Sequence, residues 1–101
     1  MAERSARGRA LRAAIMSLVP AEVAFHDIWV WISRNRDPHV DIVFQRDVDL
    51  EDSKTNGVRP QLESAIRQAS ESLGAAGFDV RYHSHEEVER KFNGDYFKYF
   101  R

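Results

Sequence analysis

The sequence contains no cysteine, which removes disulfides, thiolate metal sites, thiol catalysis and thiol redox sensing together. The compartment stays open on that ground, and any metal would need histidine and carboxylate ligands. Long apolar runs are also missing. The stretch from Leu11 to Val19 is interrupted by Arg12 and Ser17, too short to span a bilayer and poor as a signal-peptide core. A soluble cytoplasmic protein without membrane insertion is therefore expected. Neither sign of charge dominates: 15 basic side chains face 16 acidic ones, for a net charge of −1, and nothing global points to nucleic acid or a membrane surface. The basic N-terminus (Arg4, Arg7, Arg9, Arg12) has no interleaved aromatic platform and reads as a solvated helix face, so no nucleic-acid partner is expected. A phosphate loop, a Gly-x-Ser-x-Gly elbow and a His-Glu-x-x-His pair are absent. Asp47 and Asp49 have the spacing of a phosphoryl-transfer metal pair but lack the glycine-serine turn that nucleotidyltransferases place before it. With no nucleophile, base and oxyanion-hole set to be found, the chain is not expected to be an enzyme.

What is present is one domain's worth of chain, 101 residues, with so little margin for a core that oligomerisation would be a natural supplement. The core is expected over about residues 10–85, with a C-terminal extension over 86–101. Leu11, Ala14, Ile15 and Leu18 form the stripe of an amphipathic helix from residue 3 to about 18, stopped by Pro20. Val23 to Phe44 reads as a β-hairpin around the polar turn 34–38. Its first strand, about Ala21 to Ser33, carries Ile28, Val30 and Ile32 on one face and Phe25, Trp29 and Trp31 on the other, the pattern of a central strand. The second, Val40 to Phe44, shows one apolar face of Val40, Ile42 and Phe44. Gln45 to Gly57 reads as a long exposed acidic loop, and a helix follows around Pro60 with a stripe of Leu62, Ala65, Ile66, Ala69 and Leu73. Phe78, Val80 and Tyr82 alternate as a half-exposed third strand, and Glu86 to Lys91 suits a short helix. The tail holds Phe92, Tyr96, Phe97, Tyr99 and Phe100. It could add a strand, fold back as a helical turn over the open sheet face, or dock on a partner.

The order α-β-β-α-β, with a right-handed crossover from strand two to strand three, makes those two parallel and places strand one between them. The expected fold is an α+β, ferredoxin-like α-β-β-α-β sandwich with strand order 2-1-3 and an extra C-terminal aromatic segment. In that geometry the start of strand one lies beside the end of strand three. His26 would then meet His83 and His85, which project from one side of an extended chain, with Asp27, Glu86 or Glu87 as a further ligand or as an imidazole's partner. Three imidazoles and a carboxylate suit Zn²⁺ or a similar divalent cation. The same residues read equally well as exposed polar groups where a strand meets solvent. His39, at the other end of the hairpin, is expected to be a turn residue.

His26-Asp27-Ile28 opening strand one, Trp31 within it, Val40-Asp41-Ile42-Val43 in strand two and Asp79-Val80-Arg81-Tyr82-His83-Ser84-His85 in strand three resemble the C-terminal cytoplasmic domain of cation diffusion facilitator (zinc transporter) proteins. The resemblance covers about Leu11 to His85. It implies a ferredoxin-like domain that dimerises and binds zinc or a related ion, with His26, His83 and His85 as ligands. The histidines that family members often carry in strand two and in the long helix are absent, so it implies one reduced site; the acidic segment 47–57 and the aromatic tail have no counterpart in the resemblance.

Two functions follow. One is a homodimeric, divalent-metal-binding regulatory or sensor domain with ligands His26, His83, His85, Asp27 and Glu86. The other is a metal-free interaction module, such as an adaptor, an antitoxin or an immunity protein, using the open sheet face and the aromatic tail. Trp29, Trp31, Phe97 and Phe100 are the candidate interface residues. Whichever row of the first strand faces the helices, the other row is too apolar to be left in water.

Overall fold

A computed structural model describes residues 6–32 and 37–100 of the chain. Residues at the expected start of the first helix and in the hairpin turn fall outside that set. The elements in order are α1 (Ala6–Leu18), β1 (Asp27–Trp31), β2 (His39–Phe44), α2 (Asp47–Asp52), α3 (Val58–Ser72), β3 (Asp79–Ser84), α4 (His85–Phe92) and α5 (Tyr96–Tyr99). The fold is α+β, with one three-stranded mixed sheet. Strand order is β1-β2-β3, with β1 antiparallel and β3 parallel to β2. The expected parallel relation of the second and third strands is there, but the order 2-1-3 is not. The central strand is β2, in which five of six residues are buried, and β1 lies at the edge.

The cause is the content of the alternate rows. Ile28, Val40, Ile42 and Phe44 point to one side and close a dry core with Leu11 and Ile15 of α1 and Leu62, Ile66 and Ala69 of α3. The opposite row of β2 is His39, Asp41 and Val43, and Asp41 is 3% exposed. A carboxylate there disguises a buried strand as a half-exposed one. The opposite row of β1 is Trp29 and Trp31, which the tail covers only in part.

The edge of β1 is blunted by its own neighbours. The Ile28 N–H donates to Asp27 Oδ1 (2.7 Å), the Ile28 carbonyl accepts from Arg12 Nε (3.3 Å), and Arg12 Nη2 closes on Asp27 Oδ1 (3.2 Å). Outward-facing ladder groups at Ile28 are thereby satisfied, which limits strand addition by another chain.

The expected acidic loop contains α2. Its signal is local rather than hydrophobic: Asp49 reaches back to the Arg46 backbone N–H (3.2 Å) and binds the Arg46 guanidinium (2.9 Å), in the manner of a capping box. Gly57, with φ of +86°, turns the chain into α3. The end of β3 is set by Ser84, whose hydroxyl accepts from Glu87 N (3.2 Å) to cap α4 and donates to Asp47 Oδ1 (2.6 Å). After α4, Asn93 (φ +53°) and Gly94 (φ +80°) reverse the chain with the Gly94 N–H bonded to the Val88 carbonyl, a Schellman-type end. That reversal brings α5 back over the second face of the sheet, one of the three tail placements the sequence allows.

Candidate functional site

The second face is built from β1, β2, β3 and α5, and its centre is Asp41. Asp41 Oδ1 accepts from His83 Nε2 at 2.7 Å, and Oδ2 accepts from Trp31 Nε1 at 2.8 Å with His39 Nε2 at 3.1 Å. Burial alone would raise the Asp41 pKa; the bonds from His83 and Trp31, helped by the charge of the two imidazoles, outweigh it and hold the carboxyl below its usual range. His39 also bonds Asp79 Oδ2 at 3.0 Å. It is therefore the first residue of β2 and part of this network, not a turn residue.

Two tyrosines, one turn apart on α5, fasten the tail to two histidines. The Tyr99 hydroxyl is hydrogen-bonded to His83 Nδ1 (2.9 Å), and the Tyr96 hydroxyl to His85 Nδ1 (2.5 Å). On its far side each histidine meets a carboxylate, Asp41 for His83 and Glu89 for His85 (3.4 Å). Burial, with Asp27 and Glu89 nearby, pushes the Tyr96 pKa up to about 12, and burial raises that of Tyr99 as well. Both hydroxyls therefore keep their protons at neutral pH.

The rings continue this order. Trp31, Trp29, Tyr96, His85 and His26 stack in sequence, with centroid separations of 5.9, 5.7, 5.9 and 3.9 Å. Phe100 meets Trp29 and Trp31 edge-on at 5.7 and 6.3 Å. Between the tryptophans and α5 lies an open notch of about 170 Å³ lined by Trp29, Trp31, Tyr96, Phe97 and Phe100. Phe97 stands at its rim 84% exposed, and Trp31 is 45% exposed. Trp29 Nε1 is buried without a hydrogen-bond partner among the described residues.

Of the residues expected to hold a metal, the structure brings together His26 and His85, although β2 separates β1 from β3. His83 is turned away: Ser84 ends the strand, so His85 belongs to α4 and the two histidines do not share a side of one extended chain. Asp27 is committed to Arg12 and the β1 edge, and Glu86 Oε1 accepts from the Asp47 backbone N–H (2.8 Å). His26 bonds Gln45 (2.9 Å), and both ring nitrogens of His83 and of His85 are engaged. Nearly parallel stacking at 17° also keeps the lone pairs of His26 and His85 from converging on one point. As placed, these residues do not form a chelate, and no group of three or more His, Asp or Glu among the described residues is positioned to hold a metal ion.

The four expected interface residues, Trp29, Trp31, Phe97 and Phe100, all line the notch. Asp41, Tyr96 and Tyr99 are members of this hydrogen-bonded face that the sequence reading did not single out. The alternation of His39, Asp41 and Val43 opposite Val40, Ile42 and Phe44 is the one signal that would have placed Asp41 on this face. Among the described residues, no helix is long and apolar enough to cross a membrane. The chain matches no family model, no curated protein and no solved structure.

Proposed function

We propose that the chain is a protein-interaction module that holds a segment of a partner polypeptide in the notch between β1 and α5. The observation that carries this reading is the exposure of Phe97 and Trp31 around a concave, almost wholly apolar lining. A lone exposed apolar side chain needs no explanation, but five aromatic rings around one depression have the composition of a binding hot spot. The blunted edge of β1 argues for side-chain recognition in the notch over strand addition.

A photo-reactive phenylalanine analogue at position 97 tests this, with the same group at Gln68, on the exposed side of α3, as the control. A discrete cross-linked polypeptide from position 97 alone is expected in extracts of the native cell. Equal labelling from both positions, or none from 97, rejects the reading. A product of twice the chain's own mass would identify the partner as a second copy, the homodimer form of the proposal.

The metal-binding regulatory reading has one observation in its favour, the contact of His26 with His85. Calorimetry with zinc decides it. The engaged nitrogens lead us to expect no heat above dilution, whereas tight binding lost in His26→Ala/His85→Ala would restore the metal site.

A further inference from the structure

We infer that two copies of this chain exchange α5, each laying its tail on the second face of the other, whatever partner enters the notch. Tyr96, Phe97 and Phe100, three of the five residues lining the notch, belong to the tail, so in the exchanged form each notch is completed by the other copy. None of the residues of α5 is buried, and none belongs to the core closed by α1 and α3. The tail is fastened by the two tyrosine–histidine hydrogen bonds and by ring contacts to Trp29, Trp31 and Phe92. An element with so little buried is the kind that opens locally while the rest of the fold stays closed.

The turn that folds the tail back carries the least favourable backbone. Asn93 (φ +53°) is the one non-glycine residue at positive φ among the described residues, and Gly94 follows at +80°. A Cβ at position 94 would stand 2.9 Å from Glu89 Oε2, so the bent form also needs the space that glycine leaves. Across this turn the helical pattern does not stop. Val88, Phe92, Tyr96 and Tyr99 follow one another at spacings of four, four and three, which is one apolar edge of a continuous helix. Glu86 and Glu87 stand at its start and Lys98 near its end, where the macrodipole favours them.

Straightened through positions 93–95, the segment from His85 to Tyr99 is a single helix about 22 Å long. It holds Tyr96 and Tyr99 away from His83 and His85 of its own copy and leaves Trp29 and Trp31 uncovered. The surface that fits the released tail is the one it has left, so a second copy in the same state is its complement. There the two tyrosines, one turn apart, again meet the two histidines. The balance of charge, 15 basic against 16 acidic side chains, lets two copies approach with little repulsion. Closed and exchanged forms share the contacts of the tail and differ at the hinge, so hinge backbone and concentration set their ratio.

Substituting the hinge tests this. Asn93→Ala/Gly94→Ala removes both residues suited to positive φ and favours the straight helix. Size exclusion with light scattering should then find a dimer whose dissociation constant is at least roughly tenfold below that of the wild-type chain. The wild type should be monomeric when dilute and reach a measurable dimer fraction at about 1 mM, the order of effective concentration that a short tether gives its own tail. Tryptophan emission of the hinge variant's dimer should match that of the wild type, because the other copy's α5 covers Trp29 and Trp31. Adding Tyr96→Phe/Tyr99→Phe to the hinge variant should weaken its dimer by at least roughly tenfold, through the hydrogen bonds removed, with far-ultraviolet circular dichroism unchanged. A hinge variant or a wild-type chain without any dimer at about 1 mM overturns the inference. So does red-shifted emission in the dimer, or a dimer indifferent to loss of the tyrosine hydroxyls, which would be joined at another surface.

Discussion

The aliphatic face of the sheet, closed by α1 and α3, and the aromatic face, closed by α5, bury side chains by different means. On the first, Leu11, Ile15, Ile42, Leu62 and Ile66 are all inaccessible, and no polar group is needed to orient them. On the second, a four-residue helix is aimed by hydrogen bonds: two tyrosines, two histidines and a buried carboxylate fix its position while Phe97 and Trp31 stay in water. The first arrangement maximises burial, which is non-directional. The second gives up burial for geometry and keeps large apolar groups accessible, as a binding face requires.

The contrast predicts unequal costs. Ile42→Ala, at the centre of the aliphatic face, should lose about 2–5 kcal/mol in urea unfolding, because both the transfer free energy and the residual cavity count against it. A smaller loss would mean that this face repacks as readily as the other.

Asp41→Asn comes next, at about 1.5–3 kcal/mol, the range for hydrogen bonds to a charged group, and it carries a pH signature. Because the folded-state pKa of Asp41 is depressed, its contribution is fully present above the unfolded carboxylate value and is lost as pH falls through the folded value. Stability of the wild-type chain should therefore decline on acidification below about pH 4. The difference between wild type and Asp41→Asn should shrink over the same interval. A difference independent of pH would assign the loss to packing rather than to charge.

Phe100→Ala should cost about 1–2 kcal/mol, less than burying a whole phenylalanine contributes, since the ring is only partly covered. It removes the edge-on cover from both tryptophans. A red shift in tryptophan emission should accompany the loss. An unshifted spectrum would mean that α5 is held by its tyrosines alone.

How far this arrangement was legible in the sequence follows from the same contrast. Periodic aliphatic residues announced α1, α3 and the β2 row, because non-directional burial leaves a repeating pattern. The hairpin and the parallel β2–β3 pair also followed from pattern and connectivity. What failed was whatever depended on the hydrogen bonds of a polar side chain. Asp41 concealed the central strand, Ser84 ended β3 one residue before the expected histidine pair was complete, and Asp49 built α2 from a cap with no apolar stripe. That Trp29, Trp31, Phe97 and Phe100 gather on one face was legible because an aromatic-rich tail and an apolar strand row are drawn together. The expected convergence of His26 with His83 and His85 rested on β1 lying beside β3, and with β2 between them only His26 and His85 meet.

The smallest stability effect and the largest functional one should fall on the same residue. Phe97 is three positions from Phe100 in the same turn of chain, yet at 84% exposure it has little contact to lose. Phe97→Ala should change unfolding free energy by no more than about 0.5 kcal/mol, the usual range for a surface substitution away from special features. On the interaction reading, the value of this ring lies in what it contacts outside the chain. If the notch is the binding face, capture of the partner should fail in Phe97→Ala while the emission spectrum and the urea midpoint remain those of the wild type. Retained capture would separate the exposed aromatic rim from the binding function and leave the second face as a device for positioning α5 alone.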